Sequence, residues 1–243
     1  MDKSLTSFHS INNTTAIEKM KQYNETIFNS YEKLLAECMK DGILSKKEKS
    51  LILVGVNAAR RYEQGLLYHT KEALDLGASI EEIVDILTPC ILSRGIPSWL
   101  EGIKAIVYAR EYLGLEKISR TSSETKNVKQ RIEDLQGAIA YFEGEANGSL
   151  PKWVATMLEF APQVAQYYGS LRSEILRDHV ISRKLKELVL VCINLVERYG
   201  EGARIHIETA KKLGATNEEI AEVAFVAMLA GGLPVWLLAS DFL

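Results

Sequence analysis

His69 and His206 are two of only four histidines in the chain, and they stand 137 residues apart at the head of two stretches that share a pattern. "HTKEALDLGASIEEIVDILTPCILSRGIPSW" (69–99) aligns without a gap on "HIETAKKLGATNEEIAEVAFVAMLAGGLPVW" (206–236), with 12 identities in 31 positions. His9 lies outside this repeat and His179 aligns with Gly42, so neither shares the status of the pair. Imidazole titrates close to neutrality, which suits a repeated histidine to general acid or base work. The other reading is structural, a ring hydrogen-bonded between helices.

The segment before each histidine supplies candidate partners. On a regular helix, residues at i, i+4, i+7 and i+11 share a face. That face holds Glu187, Val191, Asn194 and Arg198 in the second copy, and Ser50, Val54, Asn57 and Arg61 in the first. A solvated edge accounts for such a stripe. The functional alternative has Glu187 facing inward and orienting or exchanging protons with His206. Ser50 replaces that carboxylate in the first copy, so a single active module is expected to be the second. Glu63, Gln64 and Glu201 lie within two turns of the histidines and are alternative partners.

An internal repeat governs the fold and has to be settled first. It extends upstream at the same offset: Tyr31, Asp41, Ser45, Lys49, Asn57 and Tyr62 align with Tyr168, Asp178, Ser182, Lys186, Asn194 and Tyr199. Two modules are expected, over 13–112 and 147–243, joined by a linker and connecting helix over 113–146. The stretch "EKISRTSSETKNVKQ" (116–130) is polar and linker-like. Ser45-Lys-Lys-Glu48, Ser79-Ile-Glu-Glu82 and Thr216-Asn-Glu-Glu219 read as capping boxes opening helices. Gly77 and Gly214 precede the latter two, where a preceding helix would end. Pro97 and Pro234 suit first turns of helices. No alternating strand of useful length is present, so the expectation is all-α, each module a helical bundle.

Composition narrows the function classes. A net charge of −3 offers no basic patch for nucleic acid. Cys38, Cys90 and Cys192 are far apart with no CxxC, which argues against a disulfide framework and against a zinc site. Val223–Ser240 is uncharged, but "GGLP" at 231–234 interrupts it, and the first copy carries Arg94 and Glu101 in the matching segment. A buried helix, a break and a second helix are expected there, not a membrane span. The N-terminus lacks a signal-peptide core, so a cytoplasmic protein is expected.

The pattern H-x3-A-x3-G-A-[ST]-x-E-E-I followed by G-x-P-x-W resembles the carboxymuconolactone decarboxylase and alkylhydroperoxidase D superfamily, here as a tandem, two-module member. In the peroxidase branch, a CxxC ends four residues before the histidine and a glutamate stands nineteen residues before it. The cysteine positions here hold Tyr62 and Gly65, and Tyr199 and Gly202; the glutamate position is matched by Glu187 alone. Thiol chemistry needs a thiolate, so the resemblance favours the decarboxylase branch. That branch implies a carboxy-lyase without metal or organic cofactor, acting on a small carboxylic acid or lactone. His206, Glu187 and His69 are then the catalytic candidates. Arg204 or Arg198 would hold the substrate acid, with Asn194, Tyr199 and Glu201 alongside. The resemblance also implies a homo-oligomer, expected as a trimer with pseudo-sixfold symmetry, with a dimer as the alternative. A peroxide-reducing protein and a non-catalytic ligand-binding oligomer are the alternatives.

Overall fold

The computed structural model describes residues 14–115 and 132–243; the polar stretch 116–130 and His9 lie outside the described residues. In chain order the helices are α1 (Thr14–Tyr23), α2 (Glu25–Met39), α3 (Lys46–Arg60), α4 (Glu63–Asp75), α5 (Ile80–Leu87), α6 (Pro89–Arg94), α7 (Ile96–Tyr112), α8 (Leu135–Glu145), α9 (Lys152–Phe160), α10 (Pro162–Leu176), α11 (Arg183–Val196), α12 (Gly200–Lys212), α13 (Asn217–Gly231) and α14 (Leu233–Ser240). The described residues contain no strand, and the fold is an all-α tandem repeat. The order α2, α3, α4, α5–α6, α7 recurs as α10, α11, α12, α13, α14.

Local signals explain the helix starts and stops. Ser45, Ser79 and Thr216 each accept a hydrogen bond from the amide three residues on, while Glu48, Glu82 and Glu219 reach back to the cap amide. Reciprocal capping of this kind satisfies two otherwise orphaned donors. The first repeat breaks between α5 and α6 because Pro89 has no N–H to continue the ladder. Val226 stands at the matching place, and α13 runs on unbroken. Gly95 and Gly232, at φ 69° and 78°, turn the chain into the final helices α7 and α14, whose first turns take Pro97 and Pro234. Among the described residues no helix is long and apolar enough to cross a membrane.

The chain forms two compact units whose limits cut across the second repeat. The smaller, 117–179, holds α8–α10 around Phe142, Trp153 and Tyr168, with Phe142 edge-on to Trp153 and stacked with Tyr168. The larger combines α1–α7 with α11–α14. At its centre lie α3 and α11, buried along nearly their whole lengths, with side chains on every face contributing to one apolar core. A Cβ on Gly55 would stand 2.9 Å from Val189 Cγ1, so the glycine lets the two central helices approach.

Two ion pairs, each with a buried lysine, cross between the repeats in opposite directions. Lys49 Nζ lies 3.1 Å from Glu222 Oε2 and donates to the Lys40 carbonyl. Lys186 Nζ lies 2.7 Å from Asp85 Oδ1. Lys49 aligns with Lys186 and Asp85 with Glu222, so each repeat provides the lysine of one pair and the carboxylate of the other. The carboxylates also accept main-chain amides: Ile43 and Leu44 donate to Glu222, and Ile181 donates to Asp85. Burial pushes the Glu222 carboxyl up, but these amides and Lys49 outweigh it and hold it below the usual range.

Candidate proton-transfer sites

Each site lies between a serine-capped helix, α3 or α11, and the helix that follows it. In the second repeat, α11 carries Glu187 one turn from its start and α12 carries His206. Glu187 is fully buried, and its Oε2 lies 2.7 Å from His206 Nδ1. The guanidinium of Arg183, one turn before Glu187, stands 3.7 Å from the other carboxylate oxygen. With Oε2 as the acceptor of this bond, Nδ1 donates and Nε2 is left as the nitrogen for proton exchange.

The first repeat reaches the same result by another route. Ser50 occupies the position of Glu187, and its hydroxyl donates to Glu72 Oε2 at 3.0 Å. The same oxygen lies 3.2 Å from His69 Nδ1, and Lys46 Nζ lies 3.2 Å from Oε1. Glu72 comes from the histidine's own helix, α4, three residues on; its counterpart in α12 is Thr209, which donates to the Ile205 carbonyl. Lys46 is the counterpart of Arg183. Both repeats therefore join an imidazole, a carboxylate and a cation, but the carboxylate arrives from α11 in one and from α4 in the other. Burial raises the Glu72 carboxyl, yet the hydrogen bond and charge of His69, with Lys46 and Ser50, bring it down to about 2. Glu72 is thus ionised at neutral pH and fixes the His69 proton on Nδ1.

His69 and Glu72 border a pocket of about 450 Å³. Leu35, Ala36 and Met39 of α2 form its apolar side, Tyr68 stands edge-on to the imidazole at 4.9 Å, and Lys40 and Lys46 bring positive charge opposite Glu32 and Glu72. That volume suits a small organic molecule.

The remaining candidate residues are placed as follows. Arg204 is two residues from His206, roughly 200° around the helix, and is held by Glu201 and Glu208 on that outer face. Glu201 is therefore bound to Arg204. Arg198, exposed, ends α11 in a left-handed conformation with φ 58°, as Arg61 does for α3 at 56°. Asn194 is buried and donates to the Leu190 carbonyl at 2.7 Å, a bond repeated by Asn57 to Leu53. Tyr199 is exposed, with its ring edge over Gly202. None of these five hydrogen-bonds to His206 or Glu187 among the described residues. Glu63 pairs with Lys104 instead. Sequence reasoning missed Glu72, Lys46 and Arg183. The available signal was that 46 and 183 both carry a cation at matching places beside the capping serines.

The positions that would carry a redox CxxC are filled sterically as well as chemically. A Cβ on Gly65 would lie 2.6 Å from Asn57 Oδ1 and 2.7 Å from the Tyr62 ring, and Gly202 is enclosed in the same way by Asn194 and Tyr199. Cys90 and Cys192 are buried and their thiols pushed up, Cys90 to about 12. Neither resembles a reactive thiolate. Among the described residues no group of three or more His, Cys, Asp or Glu side chains is arranged to hold a metal ion.

Comparison with known proteins agrees with this architecture. The crystal structure of a Burkholderia xenovorans protein, provisionally named as a gamma-carboxymuconolactone decarboxylase subunit, superposes with a TM-score of 0.64 at 24% identity, over 92% of this chain and 87% of that one. An uncharacterized protein of Methanocaldococcus jannaschii is 28% identical over 91 residues, covering 37% of this chain and 85% of its own. The sequence profile of the carboxymuconolactone decarboxylase family matches twice, over residues 25–107 and 162–243. With both repeats matched, and each folded around its His, the chain belongs to the carboxymuconolactone decarboxylase family as a tandem, two-module member.

Proposed function

We propose that the protein is a carboxy-lyase that decarboxylates a small carboxylated lactone by proton transfer at His206, without a metal or organic cofactor. The observation that carries this is the 2.7 Å contact between His206 Nδ1 and the fully buried Glu187. The reaction breaks the bond between the lactone carbon and its carboxylate. Carbon dioxide leaves, and the electron pair spreads through conjugation onto the lactone carbonyl as an enolate. An imidazolium held at Nδ1 by Glu187 presents its Nε2–H to the carbanionic carbon, and solvent returns the proton afterwards. Such a positioned acid contributes roughly 10²–10⁴-fold in rate.

Arg183 suits the substrate acid or the developing enolate better than Arg204, because it stands beside Glu187 whereas Arg204 lies on the outer face with Glu201 and Glu208. A homotrimer with pseudo-sixfold symmetry accompanies this reading. Its support is a repeated apolar stripe: Ile96 and Leu100 on α7 and their counterparts Leu233 and Leu237 on α14 are all more than half exposed. Sedimentation analysis tests the assembly, and a monomer would reject it.

The test of the activity is carbon dioxide release from a panel of five-membered unsaturated lactones carrying a carboxylate or acetate arm. Turnover that falls at least a hundredfold in His206→Gln, with the melting temperature kept, supports the reading. No release from any member of the panel overturns it.

A further inference from the structure

We propose that the first repeat carries a second complete proton-transfer site, in which Glu72 positions His69 and Lys46 anchors the acid group of a small organic anion. The ligand class rests on the function proposed above; the side-chain arrangement does not.

Aligned by sequence alone, the first repeat lacks a carboxylate, because Ser50 stands where Glu187 does. Its helices nevertheless deliver one to the same imidazole nitrogen. Glu72 replaces Thr209 one turn beyond the histidine, and its Oε2 bridges His69 Nδ1 and the Ser50 hydroxyl at 3.2 and 3.0 Å. The serine thus stands where the second repeat has its carboxylate and donates to the one that comes from α4. The two differences between the repeats, Ser50 against Glu187 and Glu72 against Thr209, compensate each other. The cation is kept too, as Lys46 in place of Arg183, 3.2 Å from the outer carboxylate oxygen.

The surroundings specify the ligand's shape and charge. The pocket of about 450 Å³ has one apolar side of Leu35, Ala36 and Met39, and a charged side where Lys40 and Lys46 stand with Glu32 and Glu72. His69 keeps a side-chain exposure of 14%, enough for Nε2 to meet a ligand while Nδ1 is occupied. A compact, mostly apolar molecule with one carboxylate fits this: the acid on Lys46, the body against α2, and the reacting carbon toward Nε2. Glu72 lines the pocket, but its oxygens are engaged by His69 and Ser50 on one side and by Lys46 on the other. It is a positioning residue that selects the imidazole tautomer.

Nitrogen-15 spectra of histidine-labelled protein at alkaline pH test the arrangement without any need for turnover. His69 is expected in the Nδ1–H form in the wild type, in the usual Nε2–H form in Glu72→Thr, and again in the Nδ1–H form in Ser50→Glu/Glu72→Thr, which copies the second repeat. A purely structural role for Glu72 does not predict recovery when the carboxylate changes helix. Titration with 5-oxotetrahydrofuran-2-carboxylate, a minimal lactone acid, tests the pocket in a His206→Gln background. The His69 Nε2 resonance should move on binding, and Lys46→Gln should weaken that binding at least tenfold. A tautomer indifferent to Glu72→Thr, or a His69 signal that the acid leaves unmoved, overturns the inference. Lactone turnover at His206 with a silent His69 sinks this inference alone. A relocatable tautomer and a responsive His69 with no carbon dioxide release from the panel sink the proposed reaction alone.

Discussion

Glu72 and Glu187 place a carboxylate oxygen on the Nδ1 of two repeat-equivalent histidines, at 3.2 and 2.7 Å, although the two residues occupy non-equivalent positions on non-equivalent helices. The shorter contact belongs to the carboxylate with no solvent exposure, where the effective dielectric is lowest and a hydrogen bond to a charged group matters most. Glu187→Gln keeps the shape and removes the charge. It is expected to lower the decarboxylation rate constant by roughly a hundredfold with a smaller change in KM, read from carbon dioxide release under saturating lactone acid. An unchanged kcat would show that the imidazole does not depend on this carboxylate.

Glu72 makes the first site sensitive to acid. Its carboxyl is lowered to about 2 in the folded chain, whereas an unfolded glutamate titrates near its ordinary value of about 4.3. A group depressed in this way stabilises the fold above the unfolded value, and that contribution is lost as pH falls through the folded value. The window is therefore about pH 5 down to pH 2, and the shift corresponds to about 3 kcal/mol as an upper bound. Melting temperatures of wild type and Glu72→Gln should differ at pH 6–7 and converge as the pH approaches 2. A constant difference across that range would remove the carboxylate's charge as the cause.

The helices and the repeat were legible because their signals are local. Ser45, Ser79 and Thr216 announce their helices through a partner three residues away, and each makes the expected reciprocal bonds. The His206–Glu187 contact was legible too, since a separation of nineteen residues spans two consecutive helices joined by a short turn. Glu72 was not. At three residues from His69 it reads like any glutamate on a helix surface, and only the fold shows it leaning over Ser50. Arg204 misled in the opposite sense: a cation two residues from a histidine is close in sequence, yet a helix turns it to the far side. Asp85 and Glu222 carry no local signal at all, because their partners lie about a hundred or more residues away in the other repeat.

Those reciprocal pairs predict a stability pattern. Lys186 is 1% exposed and Asp85 9%, so replacing the carboxylate strands a charge in the core. Asp85→Leu is expected to cost about 3–5 kcal/mol, while Asp85→Leu/Lys186→Met recovers most of it, since apolar side chains of similar size often replace a buried pair without loss. Denaturant unfolding of the two variants measures this. A double variant as unstable as the single one would mean that the amide of Ile181, which donates to Asp85 at 2.8 Å, carries the effect.

The last prediction concerns the thiol chemistry found elsewhere in the superfamily that this chain resembles. Restoring cysteines at 62 and 65 would not restore a redox site, because Gly65 has no room for a side chain: a Cβ there meets Asn57 Oδ1 at 2.6 Å. Asn57 cannot withdraw cheaply, since it is buried and its amide already donates to the Leu53 carbonyl at 2.8 Å. Tyr62 is the softer neighbour, being exposed, and Tyr62→Cys removes the second clash. Gly65→Ala alone should therefore destabilise by about 1–3 kcal/mol, and Tyr62→Cys/Gly65→Cys should remain destabilised through Asn57. Melting curves of the two variants, beside a thiol-dependent peroxide consumption assay, decide it. A double-cysteine protein of wild-type stability that consumes peroxide would show that the position is open and that only the residue type had closed it.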